Sequence, residues 1–325
     1  MDGRDLALPL MSIRPQAVPP GKFKDRAVTA TGEPRARVSL GALTTLWFNT
    51  GTLCNIECAN CYIRSSPRND ALVYLTADEV EAYLDEIELR SLPTREIGFT
   101  GGEPFMNRAL IAMLMTALER GYACLVLTNA MKPMRRFDAA LLGLRRTYGD
   151  RLTLRVSLDH YTRQVHEAER GSQSWDAAID GLCWLIDNGF SVAVAGRRLP
   201  HESDGEARQG YGALFRSMDK RFDATDPARL VLFPEMDENA DVPEITESCW
   251  SILGKSPDSV MCASSRMVVK RRGADKPCVV ACTLTPYAPD FELGGTLAEA
   301  MAPVSLNHPH CATFCVLGGA SCSAA

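Results

Sequence analysis

No apolar run at the start of this chain is long enough to cross a membrane. Leu6 to Leu10 is the apolar stretch there, and Asp2 and Asp5 precede it, so neither a secretory signal nor a membrane span is expected. The chain also lacks a surplus of positive charge. Its 35 Lys and Arg against 40 Asp and Glu leave a net charge of -5, which excludes the basic face that a nucleic-acid backbone requires. A cytoplasmic protein with no nucleic-acid or membrane partner is therefore expected. The composition is not that of a disordered chain either. At 46% hydrophobic and 23% charged it can bury a sizeable core, and 325 residues suit one barrel-sized domain with a compact appendage.

What the sequence does have is cysteine. Twelve thiols in a reducing compartment are not expected to pair as disulfides, so clusters of them point to metal or redox chemistry. Residues 1–40, with Pro15, Pro19, Pro20 and Pro34 and no sustained periodicity, read as a loose arm. From there short apolar runs alternate with amphipathic segments. Strands are expected at 43–48, 97–100, 124–128, 152–158, 192–195 and 230–233, with helices between them, the first at 77–89 capped by Thr76 and Glu79. That order predicts an α/β fold, a parallel-stranded partial (β/α)6 barrel of the TIM type over residues 41–245, with reactive groups on the loops after the strands. Residues 246–325 break the pattern and hold seven of the twelve cysteines, as a small Cys-rich domain would.

Cys54-Asn-Ile-Glu-Cys58-Ala-Asn-Cys61 directly follows the first strand. Three thiolates that close on one loop can each reach a different iron of one cubane and leave the fourth iron open. Zinc, which needs a fourth ligand, and three incidental buried thiols are the alternatives. After the second strand comes Gly101-Gly102-Glu103-Pro104, where glycines let backbone approach a ligand and a carboxylate suits an ammonium group. Thr128-Asn129 and Ser157-Leu-Asp159 end the third and fourth strands, and Glu235 and Asp237 follow the sixth.

The three-cysteine loop with gaps of three and two resembles that of the radical S-adenosylmethionine (SAM) superfamily. The resemblance implies a 4Fe-4S cluster on Cys54, Cys58 and Cys61 whose open iron binds SAM. It implies that Gly101 to Pro104 receive the SAM amino group, that Ser157 and Asp159 contact its ribose and carboxylate, and that Thr128 and Asn129 lie on the cofactor side. Asn60 departs from the family, which usually has an aromatic residue before the third cysteine; Tyr62 follows it here. The implied activity is reductive cleavage of SAM to methionine and a 5'-deoxyadenosyl radical that takes hydrogen from a substrate. A ferredoxin or flavodoxin-type electron donor is implied too.

Cys262 to Gly273 followed by Cys278 and Cys282 reads as a hairpin with thiols at its ends, and its spacing resembles the opening of the SPASM or twitch auxiliary-cluster domains. One further 4Fe-4S cluster is expected, on Cys262, Cys282, Cys311 and Cys315, with Cys278 and Cys322 as substitutes and zinc as the alternative. The substrate is expected to be a small molecule, because 40 loose residues are too few for a peptide-recognition domain. A peptide-modifying maturase and a non-catalytic iron-sulfur carrier or redox sensor are the competing functions.

Overall fold

Backbone hydrogen bonds of the strand segments have to be met across the chain, and in the computed structural model, which describes residues 21–235 and 240–322, they are met by one sheet. Asp237 and the first twenty residues of the arm lie outside the described residues. In chain order, β1 Arg37–Val38 precedes the barrel, whose elements are β2 Thr45–Asn49, α1 Ala77–Leu89, β3 Glu96–Thr100, α2 Leu110–Glu119, β4 Ala123–Thr128, the short α3 Lys132–Arg135 and α4 Asp138–Tyr148. They continue with β5 Leu152–Ser157, α5 Arg163–Arg170, α6 Ser174–Asp187, β6 Ser191–Arg198, α7 Asp204–Ser217 and β7 Leu230–Pro234. Strands β2 to β7 pair in sequence, all parallel, so the expected six-unit partial barrel is the fold.

Alternation along each strand divides the interior in two. Leu46, Phe48, Ile97, Phe99, Val126, Leu154 and Val156 face the helices, where Val80, Leu84, Leu114 and Leu182 complete a core. Each such side chain contributes about 1.5–3 kcal/mol by leaving water. Trp47 and Leu125 face the other way, in a cluster closed by Met267, Val269 and Phe314 from the last quarter of the chain. Gly98 makes room for Trp47, since a Cβ there would lie 2.3 Å from the indole. Thr76 caps α1 as expected, its hydroxyl accepting from Glu79 N while the Glu79 carboxylate accepts from Thr76 N.

The last quarter adds α8 Cys249–Leu253, β8 Ser265–Val269, β9 Cys278–Val280, β10 Glu292–Gly294 and β11 Val304–Ser305. β8 joins the barrel sheet beside β2, parallel to it, with Trp47 opposite Met267, and β9 and β10 extend the sheet antiparallel. Residues 21–38 are folded against this segment. β1 pairs with β11, and Arg35, fully buried, bonds the Glu244 carboxylate at 2.5 Å. Isolated bridges and one buried ion pair hold this stretch, which is why it carries no periodicity.

Candidate active site

The loop after β2 is pinned at both ends. Thr50 N donates to Thr100 O, Cys54 N to Ser66 O and Arg64 N to Cys61 O, so the three thiols are carried on a bonded backbone. Cys54, Cys58 and Cys61 line one cavity of about 160 Å3 at the C-terminal end of the barrel strands. Burial pushes the Cys54 thiol up to about 12, and Glu103, Cys58 and Cys61 push the same way; burial also raises Cys58, against the pull of Arg170. Cys54 and Cys58, which so disfavour negative charge, need a cationic centre to become thiolates, and metal supplies it. Among the described residues no three Cys, His, Asp or Glu side chains converge on a point as ligands of a single ion do. Three thiols of one loop that line one cavity can each take a different iron of a cubane. The donor set fits a 4Fe-4S cluster.

Gly101 and Gly102 line the cavity, and their reason for being glycine lies behind them. Gly101 has φ +142°, and a Cβ there would stand 2.5 Å from Gly51 O; at Gly102 it would stand 2.2 Å from Leu53 O. The strand end thus lies flush on the cysteine loop, with Gly102 N and Glu103 N donating to Gly51 O and Leu53 O. Glu103 and Pro104 are buried and do not line the cavity. The Glu103 carboxylate accepts from Thr128 Oγ1 at 2.9 Å, Asn129 N at 2.8 Å and Phe105 N at 3.2 Å. Burial nevertheless raises it to about 7. Thr128 and Asn129 do line the cavity, and Asn129 Nδ2 stands 3.9 Å from Cys54 Sγ.

Ser157 and Asp159 complete the opposite wall. Burial opposes charge on Asp159, but Arg170 and Arg197 hold its carboxyl below the usual range, with Arg170 Nε at 2.6 Å. Both arginines line the cavity. They belong to a clamp unseen in the sequence, built at the end of α5. Glu169 O accepts from Ala59 N, and the Glu169 carboxylate takes Asn60 Nδ2 and Arg197 Nη1, both within 3.1 Å. Only the α5 stop at Gly171, φ +91°, was a local signal for it. Tyr62, Leu127, Phe233, Leu284, Phe314 and Cys322 are among the remaining lining residues, which are mostly apolar.

A second, smaller cavity of about 20 Å3 is lined by Cys262, Cys282, Cys311 and Cys315. Cys262 stands on a turn before β8, Cys282 just after β9, and Cys311 and Cys315 on one π-helical turn, Cys311–Val316. Burial raises all four thiols, Cys262 to about 11 and Cys282 to about 12. Cys278 lies apart, opposite Val269 at the start of β9, and Cys322 faces the first cavity. Cys249 also lies outside both cavities, its sulfur near Thr246 N and Oγ1. All twelve thiols are free.

A family profile described as the radical SAM superfamily matches residues 48–208. The chain is 32% identical over 143 residues to the antilisterial bacteriocin subtilosin biosynthesis protein AlbA of Bacillus subtilis, covering 44% of this chain and 30% of that protein. It is 35% identical over 206 residues to GTP 3',8-cyclase of Rhodococcus opacus, covering 54% and 58%. It thus spans less than two thirds of either relative. Among solved structures, anSMEcpe with bound AdoMet superposes with a TM-score of 0.55 at 14% identity, over 79% of this chain and 77% of that one, and shares the fold. No helix among the described residues is long and apolar enough to cross a membrane.

Proposed function

Because the chain belongs to the radical SAM superfamily, we propose that it is an enzyme that cleaves SAM reductively and takes hydrogen from a substrate, with Cys54, Cys58 and Cys61 as the ligands of its 4Fe-4S cluster. The observation that carries this reading is the meeting of those thiols in one cavity with Gly101, Gly102, Thr128, Asn129, Ser157 and Asp159. When bound, the cluster and SAM supply the electron and the 5'-deoxyadenosyl radical. The chain's own residues bind, orient and exclude water. Ser65 N donates to Cys61 Sγ at 3.3 Å and orients that sulfur. The backbone of Gly101 and Gly102, with Glu103 and Pro104 behind it, is assigned to the amino group of SAM, and Ser157 and Asp159 to its ribose and carboxylate. Leu127, Phe233, Leu284 and Phe314 keep the remaining wall apolar.

Cys262, Cys282, Cys311 and Cys315 are assigned to a second 4Fe-4S cluster, supported by their common cavity. An electron donor of ferredoxin or flavodoxin type and a cytoplasmic setting go with free, unpaired thiols. For the substrate, the bacteriocin-biosynthesis relative supports a peptide, and the GTP cyclase supports a small molecule as the second reading.

The test is anaerobic purification and iron-sulfide reconstitution, followed by incubation with dithionite and SAM and chromatography for 5'-deoxyadenosine. Formation by the wild type and its absence in Cys54→Ala supports the assignment. A brown, cluster-loaded protein that leaves SAM intact with every candidate substrate favours the electron-carrier reading, and a colourless zinc protein overturns both.

A further inference from the structure

A buried cation stands beside the second cavity. Arg266 on β8 is 1% exposed, and its guanidinium donates only to backbone carbonyls: Nε to Ala300 O at 2.8 Å, Nη1 to Cys262 O at 2.6 Å and Ser265 O at 2.8 Å, Nη2 to Ala302 O at 3.3 Å. No carboxylate of the described residues pairs with it. Two other buried arginines do have such partners, Glu244 for Arg35 and Asp159 for Arg170, whereas Arg155, buried beside the first cavity, resembles Arg266 in donating to a backbone carbonyl, Cys322 O at 2.6 Å. Carbonyl dipoles satisfy the donors of a guanidinium and leave its net charge in a medium that solvates charge poorly. An anion is missing from the account, and one of the carbonyls that Arg266 grips belongs to Cys262, which lines the second cavity.

We propose that Arg266 is the built-in counter-cation of an anionic tetrathiolate iron-sulfur cluster on Cys262, Cys282, Cys311 and Cys315, and that it raises the reduction potential of that cluster. The proposal rests on the assignment of a second cluster made above. A cubane held by four thiolates is a net anion in both oxidation states and gains one more negative charge when a single electron enters; no bond forms or breaks. A fixed cation nearby favours the reduced form more than the oxidised one, by Coulomb attraction that burial leaves weakly screened. The groups that face Arg266 agree in sign. Burial pulls the guanidinium down to about 10, and Cys262 and Cys282, as thiolates, are the groups whose charge would oppose this. Arg266 touches no iron ligand side chain, so it acts as a tuning residue and not as a catalytic one.

The test is a redox titration followed by electron paramagnetic resonance on the full chain, reconstituted anaerobically. Cys54, Cys58 and Cys61 are replaced by alanine throughout, so that only the second cluster gives a signal. Arg266→Gln is expected to lower the potential enough to shift the reduced-to-oxidised ratio at least tenfold at a fixed applied potential, about 59 mV for a one-electron couple. Arg266→Lys, which keeps the charge, is expected to restore most of it. If Arg266→Gln fails to fold, Ala302→Asp serves instead, because Ala302 is exposed and its carbonyl already meets Nη2. A carboxylate there neutralises the cation from outside and lowers the potential by a smaller step. An unchanged potential in a variant that keeps its iron overturns the inference while the second cluster stands. A protein that binds no iron in this background, or binds zinc on the four thiols, overturns the cluster assignment and the inference together.

Discussion

Cys54, Cys58 and Cys61 stand on one loop and share a roomy cavity with two arginines, two carboxamides and a glycine-rich strand end. Cys262, Cys282, Cys311 and Cys315 come from three separate stretches of chain and enclose an eighth of that volume among Val260, Phe291, Val304 and Leu306. The first arrangement leaves space beside the metal and provides polar groups to fill it with a ligand. The second surrounds its thiols mostly with apolar side chains, with Thr285 and His310 as the polar ones. On the assignments proposed above, thiol number and cavity size go together: three donors where a small molecule would enter, four where a cluster would be shut in.

The contrast can be broken most completely at Cys54. Cys54→Ala is expected to reduce 5'-deoxyadenosine formation to background, while iron analysis retains the share held by the second set. Cys282→Ala should do the reverse, losing the second share of iron and keeping SAM cleavage. Its thermal midpoint is expected to fall as well, by about 6 °C if about 4 kcal/mol of metal-linked stability is lost.

Glu103 sharpens the comparison through pH. Its carboxyl sits at about 7 in the fold against 4.5 ordinarily, so the folded state holds the proton more tightly than the unfolded one. Stability is then full below pH 4.5 and declines by about 3 kcal/mol as pH rises to 7. Glu103→Gln should flatten that slope in thermal midpoints recorded from pH 4.5 to 7.5; an unchanged slope would assign it to other groups. Gly102→Ala drives a Cβ into Leu53 O and should cost about 1–3 kcal/mol, with loss of SAM cleavage out of proportion to loss of stability, because the strained partner is the cysteine loop itself. The smallest effect belongs to Cys278→Ser, which lies outside both cavities. Denaturant unfolding should move by less than about 0.5 kcal/mol and iron content should not change; loss of iron would make Cys278 a ligand.

Much of the barrel was legible in the sequence. Apolar runs such as Cys124 to Thr128 and Leu152 to Leu158 mark strands buried on both faces, and Thr76 with Glu79 marks the start of α1 because capping is a contact between near neighbours. The meaning of Gly101 and Gly102 was harder to read. Backbone that must approach a ligand and backbone that must lie on a neighbouring loop call for the same residue, and only the positions of Gly51 O and Leu53 O distinguish them. Apart from Gly171, which ends α5 just after it, Arg170 carried no local signal. It matters because Asp159 and the cysteine loop are folded around it, and neither is its neighbour on the chain.

The sequence by itself determined the three-thiol loop, the order of strands and helices, and thereby the family, because each of these rests on spacing within a few residues. Tertiary structure alone decided which of the C-terminal cysteines meet, why Cys322 faces the first cavity while Cys315 faces the second, and that Arg266 is buried against the second set with no acid paired to it among the described residues. Those outcomes depend on contacts between residues far apart in the chain, where packing and desolvation choose the partners and spacing does not.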